Sequence, residues 1–118
     1  MLSEIAATHV HNPRNRGELP GATHVGTAGV KGEGPFVRIW LLVQDGRIEH
    51  ATYDTHGCPA SVAAASMAVT LATGRTLGQA CQITGEDLLR ILGGLPEGKE
   101  PFAFLSAEAL LNATEDGK

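Results

Sequence analysis

The chain has 118 residues, 42% of them hydrophobic in type, enough to close a core without disulfide staples. Nine basic residues against thirteen acidic ones give a formal charge of −4, and aromatics are only 4%, so there is neither a basic surplus for phosphates nor a stacking platform for bases; nucleic acid is not an expected partner. Two cysteines make no secreted disulfide framework, no apolar run is long enough for a bilayer, and Met1-Leu2-Ser3-Glu4 opens without an apolar signal core, so the expectation is one soluble, cytoplasmic domain over residues 1–118 with no membrane partner.

In chain order, Ser3 to Val10 reads as a short helix with Ser3 as N-cap, stopped at Asn12-Pro13 because proline lacks its donor and restricts the residue before it. Arg14 to Pro20 is a loop, and Thr23 to Val30, with Val25, Thr27 and Val30 among glycines, is a weak strand. After the breaker cluster Lys31-Gly32-Glu33-Gly34-Pro35, Phe36 to Val43 is the strongest strand. Asp45-Gly46 is a two-residue hairpin turn, and Ile48 to Thr55 returns antiparallel. The period then changes from two to about 3.6. Pro59 to Thr73 is an Ala/Ser-rich helix with Val62, Val69 and Leu71 as apolar positions, ended at Gly74. Thr76 and Gln79 form a capping-box pattern for a short helix through Gln82. Thr84 caps Gly85 to Leu92, which Gly93-Gly94 ends. Pro101 opens a last helix through about Thr114, with Phe102, Leu105 and Ala109 on one face and a frayed tail from Glu115 to Lys118. Strands first and helices afterwards is an α+β arrangement: a small antiparallel sheet of about three strands packed against helices.

The residue that carries most chemical information is Cys58, in His56-Gly57-Cys58-Pro59-Ala60-Ser61. It stands between a strand end and a helix start. Outward N–H groups and the helix dipole favour a thiolate there, and thiolates bind metals and attack sulfur. His56, two residues earlier, is placed to assist as a metal ligand or by its charge. Cys81 reads instead as a small buried residue, and Phe102 and Phe104 as core residues. His9 reads as packing near Asn12, and His11, His24 and His50 as surface residues. No Walker loop, dinucleotide fingerprint, paired-cysteine zinc pattern or nucleophile elbow is present, so the chain does not read as an enzyme.

Five segments in order make the chain resemble the iron–sulfur cluster scaffold family of IscU and the NifU N-terminal domain. They are His9 with Asn12-Pro13-Arg14-Asn15-Arg16-Gly17, the hairpin at Asp45-Gly46, Thr55-His56-Gly57-Cys58 with its helix, Gly74-Arg75-Thr76-Leu77, and Leu95-Pro96-Glu97-Gly98-Lys99. The resemblance implies an IscU-like fold over nearly the whole chain. It also implies a cysteine desulfurase or a cluster-assembly chaperone as partner, with Leu95, Pro96 and Lys99 as the docking stretch. Family scaffolds hold a cluster on three cysteines, an Asp two residues after the first and often a His before the third. Only the middle cysteine has a counterpart, Cys58. Glu33 stands at the first cysteine position with Gly34 kept, Pro35 stands at the Asp position, and Pro101-Phe102 stand at the His-Cys pair.

Proline and phenylalanine cannot ligate iron, and clusters want several soft thiolates. A homo-oligomer would bring one cysteine per chain, two in a dimer. The expected function is therefore iron–sulfur cluster assembly with Cys58 accepting sulfur or iron, in place of a full three-cysteine cluster site. The alternatives are a partner-binding pseudo-scaffold without cluster chemistry, or a metal or small-molecule binder using Cys58, Glu33 and His56, with iron, an iron–sulfur cluster or zinc as the bound group.

Overall fold

The computed structural model describes Ile5 and residues 16–30, 32–56 and 58–116. The expected helix from Ser3 to Val10 and the segment around His9, His11 and Asn12 lie outside these residues, apart from Ile5, which is helical and exposed.

Three strands form one antiparallel sheet in the order β1-β2-β3: β1 is His24–Gly29, β2 is Phe36–Gln44 and β3 is Arg47–His56. The turn between β2 and β3 is set by Asp45 (φ 53°) and Gly46 (φ 77°). Positive φ at both central residues gives the primed turn whose twist matches paired strands, and it explains an Asp-Gly dipeptide there. Register follows from the turn until a bulge between Leu42 and Val43. One face carries Val37, Ile39 and Leu41, beside Ala51 and Tyr53, all buried. These residues and the helices that cover them make the core.

Four helices follow among the described residues: α1 (Pro59–Ala72), α2 (Leu77–Ala80), α3 (Gly85–Leu92) and α4 (Pro101–Glu115). α1 is buried nearly all round, through Ala60, Ser61, Ala63, Ala64, Ala65, Ser66, Met67, Ala68, Val69 and Ala72. Val69 belongs to the core as expected, whereas Val62 and Leu71 are only half-buried. Small side chains let this helix sit between the sheet and α4, so no single large apolar stripe is needed. Thr76 with Gln79 and Thr84 with Asp87 both form reciprocal capping boxes. Gly93, in the left-handed conformation, ends α3. Glu115, expected in a frayed tail, is still helical, and residues 117–118 of that tail lie outside the described residues.

β1 is an edge strand whose exposure is managed by α4. The Asp116 carboxylate accepts from the Val25 N–H at 2.8 Å, and the Asn112 amide donates to the Thr27 carbonyl at 2.9 Å. A Cβ on Gly26 would stand 2.1 Å from the Ala113 nitrogen and 2.4 Å from the Ala109 oxygen, so the strand meets the helix backbone directly. The free edge of β3 is partly occupied as well: the Gly17 N–H donates to Tyr53 O at 2.7 Å, and Ile48 exchanges bonds with Gly74 and Arg75. Such coverage limits edge-to-edge association.

Candidate functional site

Phe36 pairs with both Gly29 and His56, so the β1–β2 loop and the β3–α1 junction lie at one end of the sheet, opposite the Asp45-Gly46 turn. Cys58 is the N-cap of α1, extended at φ −92° and ψ 175°, and is partly exposed. Its carbonyl accepts from the Ser61 N–H at 2.9 Å and the Ser61 hydroxyl at 2.7 Å, while its thiol makes no capping bond. Pro59 at the first helical position removes one N–H, and no acidic residue lies in the first turn to oppose a negative sulfur.

His56 is exposed at the strand end, and its ring stacks on Phe36, with centroids 6.4 Å apart and planes 14° apart. Glu33 is exposed in the β1–β2 loop, where its N–H donates to Val30 O at 3.0 Å. The fold brings Glu33, His56 and Cys58 to the same end of the sheet. Among the described residues, however, no group of three or more His, Cys, Asp or Glu side chains converges tightly enough to hold a metal ion. Glu100 has one carboxylate oxygen buried without a hydrogen-bond partner among the described residues. A single hard oxygen of that kind does not replace the thiolates that a cluster requires. Among the described residues, the donor set does not fit a cluster held on one chain.

The positions that cannot ligate are nevertheless gathered in one place. Pro35, Pro101 and Phe102 line a surface pocket of about 470 Å³ together with Gly98, Lys99 and Leu105. The Lys99 ammonium stands 5.9 Å from the centre of the Phe102 ring, within the range of a cation–π contact. The loop delivers this lysine through a turn in which the Lys99 N–H donates to Pro96 O at 2.9 Å and Gly98 takes φ 86°. Left-handed backbone at that place explains the glycine. Of the stretch expected to dock a partner, Leu95 packs against the core, Pro96 is half-buried, and Lys99 is exposed.

Two sequence expectations need correction. Cys81 is exposed, because α2 ends at Ala80 and leaves the cysteine beyond it as C-cap; its thiol donates to Gly78 O at 3.1 Å. Phe104 is 48% exposed and lies over the start of α3, where a Cβ on Gly85 would approach its ring to 2.5 Å. It shields backbone and does not fill the core. Phe102 is half-buried as a pocket wall. Its i, i+3 spacing from Leu105, read as a core stripe, was also the signal for a pocket-lining pair.

An antiparallel three-stranded sheet backed by helices, with a cysteine at the strand-to-helix junction, defines an α+β fold shared with solved NifU-like proteins. The N-terminal part of a nitrogen-fixing NifU-like protein from Brucella abortus superposes with a TM-score of 0.69 at 19% identity, covering 94% of this chain and 90% of that one. The chain belongs to the NifU-like N-terminal domain family, whose sequence profile matches residues 2–117. It is 40% identical over 116 residues to the iron–sulfur cluster assembly scaffold protein IscU 1 of Archaeoglobus fulgidus, covering 98% of this chain and 76% of the relative. It is also 44% identical over 110 residues to the bifunctional protein NifU/MnmA of Rubrobacter xylanophilus, of which the chain spans only 22%. Among the described residues, no helix is long and apolar enough to cross a membrane.

Proposed function

We propose that this protein serves iron–sulfur cluster assembly in the cytoplasm as a scaffold-family sulfur acceptor, with Cys58 as the accepting residue. The single observation that supports this most is the pairing of a partly exposed cysteine at the α1 N-cap with Pro35, Pro101 and Phe102 where the family's other ligands would stand. In the step envisaged, the Cys58 thiolate attacks the terminal sulfur of a desulfurase persulfide. A new S–S bond forms on Cys58, the donor's S–S bond breaks, and the donor cysteine leaves as a thiolate. No net oxidation occurs, and the transferred sulfur remains at the sulfane level. The iron and sulfide of the finished cluster are cargo for the assembly machinery and are not a resident cofactor of this chain. The Leu95–Lys99 turn is the stretch through which a chaperone or desulfurase would dock.

The test is sulfur loading by a cysteine desulfurase with cysteine, followed by intact-mass measurement. A gain of one sulfur on the wild type and on Cys81→Ser, with none on Cys58→Ser, is the expected result. Loading that survives in Cys58→Ser overturns the assignment. A wild type that never loads leaves partner binding without sulfur chemistry as the better reading.

A further inference from the structure

The pocket lined by Pro35, Gly98, Lys99, Pro101, Phe102 and Leu105 has a construction of its own, beyond sulfur acceptance at Cys58. Its walls are two prolines, a leucine and a phenylalanine ring, none of which can bind a metal or move a proton. Its volume of about 470 Å³ falls in the range of small-molecule sites, which are mostly apolar with a few polar groups that fix orientation. Among the described residues, Lys99 is the charged side chain in the lining, and its ammonium has the Phe102 ring as its described partner. Glu97 and Glu100 flank it in sequence, but neither lines the pocket. An exposed ammonium beside an apolar lining favours an anion whose remaining body is apolar.

We propose that this pocket binds a small amphipathic acid, with its aliphatic or aromatic body against Pro35, Phe102 and Leu105 and its anionic head on Lys99. Phe102 then has two uses. Its face supports the ammonium, and its edge and flank supply contact area to the ligand. The Pro96–Lys99 turn fixes the lysine backbone beside the start of α4, since Lys99 O accepts from the Phe102 N–H at 3.1 Å. The two recognition elements are therefore close in the chain, with the lysine backbone held by hydrogen bonds on both sides.

The experiment uses reduced full-length protein without a desulfurase, so it stands or falls independently of sulfur loading at Cys58. Anilinonaphthalenesulfonate, an aromatic anion, is titrated by fluorescence and then displaced with decanoate. Saturable binding of one equivalent, displaced by decanoate, is expected. Lys99→Glu, an exposed change that leaves the core untouched, should weaken the sulfonate about fivefold while affecting the neutral N-phenylnaphthylamine little, as an exposed charge contact predicts. Phe102→Ser should weaken both probes about tenfold by removing apolar contact, with circular dichroism showing the fold retained. Absence of saturable binding, binding that decanoate does not displace, or a sulfonate affinity unchanged by Lys99→Glu overturns the proposal.

Discussion

The two cysteines differ in their places on the helices and in what their thiols touch. Cys58 is partly exposed at a helix start, and Cys81 is exposed at a helix end, with its thiol on a backbone carbonyl. Neither thiol is buried, so both are open to small reagents. Alkylation alone will therefore mark both residues, and brief iodoacetamide treatment should not leave Cys81 unlabelled, as site-resolved mass spectrometry can establish. Acceptance of sulfur should separate them, because it requires a nucleophile that a desulfurase can reach, which we place at the β3–α1 end of the sheet. His56 gives a second comparison at this scale. Its ring lies on Phe36, so His56→Ala should remove a stacking contact and leave sulfur loading of Cys58 within about threefold of wild type, the change expected when no proton is exchanged between them. A loss of loading by two orders of magnitude would place His56 in the transfer step.

Elements are held by caps and by close backbone contact. Thr84 accepts from the Asp87 N–H at 3.1 Å, and the Asp87 carboxylate accepts from the Thr84 N–H at 3.1 Å. Thr84→Ala should cost about 1 kcal/mol in urea unfolding. The bond from the Thr84 backbone N–H, helped by the Thr84 hydroxyl and then by Arg90, holds the Asp87 carboxyl below its ordinary range. A carboxyl depressed in the folded state contributes stability that is present above its unfolded value, about 3.9, and is lost as pH falls through the folded value. The urea midpoint should thus drop on acidification below about pH 4, and the gap between wild type and Asp87→Asn should narrow over the same window. Gly26 decides β1. A methyl group there meets the α4 backbone, which cannot turn aside as a side chain can. Gly26→Ala should destabilise by about 3 kcal/mol, the upper part of the overpacking range; a variant as stable as wild type would show that β1 and α4 are farther apart.

Over the whole molecule, the expected consequence of the ligand replacements is poor retention of a cluster. After anaerobic reconstitution with iron and sulfide, gel filtration should separate the protein from most of both. Stoichiometric iron and sulfide on the eluted protein would contradict this. The combined change Glu33→Cys, Pro35→Asp and Phe102→Cys should raise retention, since the loop after β1 and the start of α4 already approach one another through the pocket shared by Pro35 and Phe102.

The sequence by itself determined the local units. Asp45-Gly46 specified a primed hairpin turn, Thr76-Gln79 and Thr84 specified two helix starts, and Cys58-Pro59 marked a strand-to-helix junction, because turns and caps are set by residues within four positions of each other. The family too was legible, in motifs that are contiguous in the chain. Only the tertiary structure decided how distant segments meet. The glycines that made residues 23–30 a weak strand by propensity include Gly26, which α4 requires to be bare; Cys81 and Phe104 are exposed because a helix ends early and a glycine underlies the ring. Pro35 and Phe102, remote in sequence, became walls of one pocket with Lys99 in its lining. Packing of this kind depends on side-chain volume and backbone approach across long loops, and neither quantity is encoded in a local pattern.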